Sequence, residues 1–173
     1  MKINFYPECD NPEFEKAAKE YQKIWEKDGT KITTTIERVS GLKFKEKVIN
    51  AIVQKYVSYS SPLRLQANVP IKLKATTLTH ELCHRALTGN DIKNKVLWNH
   101  PSYTLELHKV LDLILYDILI DLFGQETADE EIKYEVSLWD GKDISPYKIA
   151  WDWALQMSRE KRQKEFKKYY PKK

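Results

Sequence analysis

Residues 12–39 read PEFEKAAKEYQKIWEKDGTKITTTIERV, and the way this stretch divides decides the fold. Phe14, Ala17, Ala18, Tyr21, Ile24 and Trp25 recur at helical spacing. Asn11 and Pro12 fit an N-cap and a first helical position, and Asp28-Gly29 reads as the stop. Lys31 to Val39, dense in Thr and Ile, then reads as a strand. Working outward, Lys2–Tyr6 is expected as a first strand, with Ile49–Tyr59 and Leu63–Gln66 as others. The expectation for this half is a small, mostly antiparallel sheet with helices.

Helices dominate the rest. One is expected over Ile71–Leu87, ended by Gly89-Asn90. A second runs Ser102–Phe123, with Ser102 as N-cap and Gly124 as stop. A third covers Ala128–Trp139, a fourth opens at Ser145-Pro146, and a polar helix continues from Ser158. Strands first and helices afterwards predict an α+β class. With 173 residues, the length fits a single domain over 1–173.

The net charge is only +4, but it is unevenly spread. Arg159 to Lys173 holds eight Lys or Arg against two Glu, a basic tail over a slightly acidic remainder. Cys9 and Cys83 are too few for a disulfide framework. No apolar run approaches the roughly 18 residues of a membrane span, and MKINFYPECD has no apolar signal core. The expected location is cytoplasmic, with no membrane partner.

The chemistry sits in LTHELCHRAL, Leu78 to Leu87. Positions four apart on a helix share a face, so His80 and His84 can hold one Zn²⁺ through ring nitrogens. Glu81 points about 100° away, towards water on the metal rather than the metal itself, as a general base must. Ile71, Ala75, Leu78, Leu82 and Ala86 form an apolar stripe nearly opposite, which predicts one packed face and one face on a cleft. Cys83 reads as a small buried side chain.

A catalytic zinc needs a third protein ligand. His108 and Asp112 are polar residues in the middle of the Leu105–Leu122 apolar face, while Glu106, Asp117 and Asp121 fall on the far side, where solvent is expected. A metal on His108 and an imidazole bonded to Asp112 would satisfy both. His108 is the leading third ligand; Asp112 and His100 are the alternatives.

With these residues in hand, the chain resembles the zincins, metallopeptidases defined by HExxH on an active-site helix. Within them it resembles the gluzincins, whose third ligand is a Glu on a following helix. In gluzincins an Asp four residues later bonds the first zinc histidine. The corresponding positions here are His108, a departure from Glu, and Asp112. Residues 78–124 are also similar to small metallopeptidases of bacteria and their phages. The resemblance implies a zinc peptidase acting on peptide or protein, with Asp112 bonded to His80 and Leu63–Gln66 as an edge strand that pairs with substrate. An oxyanion donor is expected among Tyr116, Tyr134 and Tyr147. The alternative is a non-catalytic, nucleic-acid-associated accessory protein with a structural or vestigial metal site. It would use the basic tail with Phe166, Tyr169 and Tyr170 interleaved.

Overall fold

A computed structural model describes residues 1–92, 100–141 and 143–171. The chain divides into two compact units, Met1–Gly89 and Asn90–Lys173. Among the described residues no helix is long and apolar enough to cross a membrane.

The first unit runs β1 (Lys2–Pro7), α1 (Pro12–Ser40), β2 (Val48–Gln54), β3 (Arg64–Gln66), a 3₁₀ turn (Ile71–Leu73) and α2 (Lys74–Gly89). The first correction is α1. It begins where expected, with the Asn11 side chain accepting from Glu13 N–H, but it does not stop at Gly29 and absorbs the whole of Lys31–Val39. Gly29 is there because the Trp25 ring lies over it: a Cβ would come within 2.7 Å of that ring. Beyond it Ile32, Thr35 and Ile36 are buried at helical spacing. Thr33 and Thr34 return their hydroxyls to the Gly29 and Thr30 carbonyls, one turn back. The helix ends at Gly41, whose φ of 70° suits glycine and whose N–H closes on Glu37 O.

The second correction follows from the first. The three-stranded sheet, in order β1-β2-β3, is parallel throughout, not mostly antiparallel. Parallel neighbours need a long crossover, and α1 is that crossover between β1 and β2. Register pairs Ile3 with Ile49 and Phe5 with Ala51, and on the other side of β2, Val53 with Leu65. Ile3, Ile49, Ala51, Val53 and Leu65 are buried, with Tyr21, Ile32 and Ile36 of α1 completing this core. A mixed helix-and-sheet class still describes the unit.

The outer edge of β3 is occupied from within. Arg64 exchanges both backbone bonds with Tyr59, Gln66 N–H donates to Ser58 Oγ, and Gln66 O accepts from the Tyr21 hydroxyl. The substrate-pairing edge expected at Leu63–Gln66 is therefore already satisfied by the chain itself.

The second unit contains α3 (Tyr103–Phe123), α4 (Gln125–Ser137), α5 (Pro146–Leu155), α6 (Arg159–Phe166) and a 3₁₀ turn (Lys167–Tyr169). Ser145 and Ser158 cap α5 and α6, their hydroxyls accepting from Lys148 and Lys161 N–H. Helix α3 packs against α4, α5 and α6 and is buried around its circumference: Val110, Leu113 and Ile114 as well as Leu111, Leu115 and Leu119. The expected solvent side of α3 is covered. Asp117 is 1% exposed and paired with Arg162, and Asp121 takes a two-pronged bond from Arg159 at 2.9 and 2.6 Å. Phe166 is buried as well. Two arginines and one aromatic of the basic tail are thus spent inside this unit; Lys172 and Lys173 lie outside the described residues.

Candidate metal centre

Helix α2 presents the first pair of donors. Lys74, at its start, is buried, donating to Ala67 O at 2.7 Å and pairing with Glu20 at 2.8 Å. Arg85, just past His84, forks onto both oxygens of Glu46. Leu78, Leu82 and Ala86 are buried as expected, whereas Ile71 is exposed and belongs to the 3₁₀ turn rather than the helix. The opposite face is no open cleft: His80, Glu81 and His84 are 8%, 6% and 8% exposed. Two imidazoles in a dry setting turn their nitrogens toward each other, His80 Nε2 to His84 Nε2 at 3.1 Å. Two donors about 2.0–2.1 Å from one tetrahedral ion lie roughly 3.3–3.4 Å apart, so this spacing suits a shared metal. Cys83, in the same turn, is fully buried, and burial, with the charge of Glu81 adding to it, holds its thiol protonated. It is a packing residue.

Helix α3 presents the third donor. His108 is buried, and its Nδ1–H donates to Thr104 O one turn back at 2.8 Å. A carbonyl only accepts, so Nδ1 carries a proton and Nε2 is the nitrogen left to take a metal. The Tyr147 ring stands edge-on to His108, with centroids 4.7 Å apart. The ligand nitrogens of His80, His84 and His108 all lie within 4.8 Å of one another, a buried group able to hold a metal ion.

The other proposed contributors fare differently. His100 is exposed and bonds its own turn, Nδ1 to Ser102 Oγ at 2.8 Å. Glu106 pairs with Lys109. Tyr116 donates to Asp129 at 3.2 Å, and burial keeps the Tyr134 hydroxyl protonated. Of the tyrosines singled out, Tyr147 stands against a histidine of the group. Asp112 is fully buried one turn beyond His108, yet neither carboxylate oxygen has a hydrogen-bond partner among the described residues. The bond from a liganding imidazole expected of it is not formed. Burial, and secondarily the charge of Glu135, raises its carboxyl well above the usual range.

Glu135 is the residue that the sequence reading missed. It lies on α4, 4% exposed, with Oε1 3.2 Å from His108 Nε2 and Oε2 accepting from Trp151 Nε1 at 2.7 Å. The available signal was the spacing Ala128, Glu131, Glu135, a face of α4 that is buried although two of its three residues are acidic.

A measurable consequence attaches to Asp112. In the metal-free protein its contribution to stability is fully present below the ordinary aspartate value, near pH 4. That contribution declines as the unfolded chain gives up its proton first, and is gone once pH has risen through the folded value. Asp112→Asn has no such proton to lose. At neutral pH it is expected to exceed the parent by about 1–3 kcal/mol, the usual cost of an unsatisfied buried acceptor, with the gap closing at acid pH. Urea unfolding of both chelated proteins across this range checks it; a pH-independent gap contradicts it.

No protein-family model, curated protein or solved structure matches the chain.

Proposed function

We propose that this chain is a zinc-dependent hydrolase, a metallopeptidase in which His80, His84 and His108 would hold the metal and Glu81 is the general base. One observation carries the reading: three buried imidazoles, two of them a helical turn apart, bring their nitrogens within 4.8 Å of one another. A buried glutamate follows the first of them. A structural metal has no use for that carboxylate. The donor set fits zinc, which favours imidazole nitrogen and binds catalytically through three protein ligands.

When bound, zinc supplies Lewis acidity towards a carbonyl oxygen and makes water a competent nucleophile near neutral pH. The protein's own groups do the rest. Glu81 accepts the proton of the attacking water and returns it to the leaving amine. The Nδ1–H bond to Thr104 O holds the His108 ring in one tautomer. Tyr147, whose ring stands against His108, is the phenol assigned here to a developing oxyanion. Because the β3 edge is closed, substrate is held by side chains rather than by adding a strand to the sheet. The accessory nucleic-acid reading loses ground, since Arg159 and Arg162 are engaged with Asp121 and Asp117.

The test is a diverse peptide pool incubated with metal-loaded protein and read by mass spectrometry. New termini are expected, lost on chelation and restored by zinc. Protein carrying one zinc per chain that yields no new termini would overturn the hydrolase reading.

A further inference from the structure

Helix α2 holds three buried threonines, and they are not alike. Thr76 and Thr79 return their hydroxyls to backbone carbonyls a turn back, Leu73 O at 2.7 Å and Ala75 O at 2.8 Å, the usual way a helix absorbs this side chain. The carbonyl four residues before Thr77 is that same Leu73 O, already engaged by Thr76. Thr77 is 7% exposed, and its Oγ1 has no hydrogen-bond partner among the described residues. A buried hydroxyl left this way costs stability, whereas valine has the same shape without the polar atom.

The place of Thr77 on the helix points to a use for it. With His80 at zero on the helical wheel, His84 stands at about 40°, Thr77 at about 60° and Glu81 at about 100°. A metal shared by His80 and His84 would lie between those two, so the Glu81 carboxylate must lean back across the Thr77 position to reach water there. Side chains on a helix slant towards its N-terminus, and Thr77 is one turn before Glu81 in that direction. Residues four apart on a helix are neighbours. An ionised carboxylate only accepts, and a buried one needs donors.

We propose that Thr77 is the positioning residue of the general base: in the metal-loaded protein its hydroxyl donates to the Glu81 carboxylate and aims it. The hydroxyl keeps its proton throughout, and Glu81 carries the transferred one. The inference rests on the hydrolase reading above and deepens it.

The experiment uses the full chain as parent, Thr77→Val and Thr77→Ser, each chelated and zinc-loaded. Chelated Thr77→Val is expected to melt about 2–6 °C above the parent, because an unsatisfied hydroxyl is gone. Zinc loading should erase that advantage, because the parent hydroxyl then has its acceptor, and a Glu81→Leu background, which lacks the acceptor, should bring it back. In turnover at equal zinc loading, Thr77→Val should lower kcat about 10–100-fold, the range for a hydrogen bond to a charged group. KM should hold, and Thr77→Ser should restore most of the rate. In a Glu81→Gln background the same exchange should change kcat little, since residues that act through one another are not additive. An advantage of Thr77→Val that survives zinc loading overturns the proposal, whether or not the protein cleaves peptide. A chelated Thr77→Val that melts below the parent does so too, since the hydroxyl then already has a partner. A kcat loss that persists in Glu81→Gln overturns it in favour of a direct contact with substrate. Parent protein that binds zinc and loses the advantage on loading, yet cleaves nothing, sinks the hydrolase reading while the Thr77–Glu81 bond stands. Parent protein that takes up no zinc sinks both.

Discussion

Glu81→Gln is expected to bind zinc as the parent chain does and to cleave peptide about 10²–10⁴-fold more slowly, the usual contribution of a positioned acid–base group. The substitution is nearly isosteric at a buried position, so packing is retained and only the proton acceptor is removed. The residue follows His80 on α2 and sits about 100° round the helix from it, outside the three-nitrogen group. Metal content and affinity should therefore stay near parental values while turnover collapses. His80→Ala, by contrast, should lose both. The comparison is made with equal zinc loading, by elemental analysis, and with kcat/KM on any peptide the parent cleaves. Equal turnover in parent and Glu81→Gln removes the general-base mechanism even if the metal site stands.

Arg162→Ala is expected to destabilise the second unit by about 3–5 kcal/mol, the range for stripping one partner from a buried ion pair. The guanidinium and the Asp117 carboxylate are 7% and 2% exposed and directly bonded. Arg162 also donates to Met157 O at 2.6 Å and lies 5.3 Å from the Tyr116 ring centroid. Deleting it strands a carboxylate against the middle of α3. An exposed pair such as Lys148–Asp152 should cost under about 1 kcal/mol on the same treatment. Thermal and urea unfolding of the two alanine variants makes the contrast. Replacing both partners, as Arg162→Met with Asp117→Leu, should recover most of the loss, because the penalty comes from the orphaned charge. A cost for Arg162→Ala no larger than that for Lys148→Ala would show that α6 does not seal this side of α3.

The pairing of His80 with His84 was legible in the sequence, because HExxH is a local pattern and a helix turns local spacing into geometry. His108 was legible for a related reason: a polar residue at the centre of an apolar arc asks for a partner. Two failures have physical causes. Thr and Ile after Gly29 carry strand propensity, but their burial against α1's own neighbours decides the matter, and tertiary packing overrides intrinsic preference. With the second half of α1 taken for a strand, the crossover vanished and with it the parallel sheet. Asp117 was placed in solvent although Val110, Leu113 and Ile114 flank it within about 60° on the helical wheel. A helix apolar on all sides is a buried one, and that reading was open. Glu135 was less accessible. Its face of α4 is acidic rather than apolar, so hydrophobic periodicity does not reveal it.

The closed outer edge of β3 has a consequence for the behaviour of the protein in bulk. A strand that ends a sheet normally leaves a row of free amides and carbonyls on which another chain can continue the ladder, the usual seed of aggregation and domain exchange. Here Tyr59, Ser58 and Tyr21 consume those groups from three directions. Growth of the sheet from that side would first require the 58–59 segment to peel away. Despite Tyr56, Val57 and Tyr59 standing exposed in this loop, stickiness there would be a matter of side chains alone, which is weaker and more readily reversed than backbone templating. Concentrated solutions should stay tractable for as long as this loop stays closed.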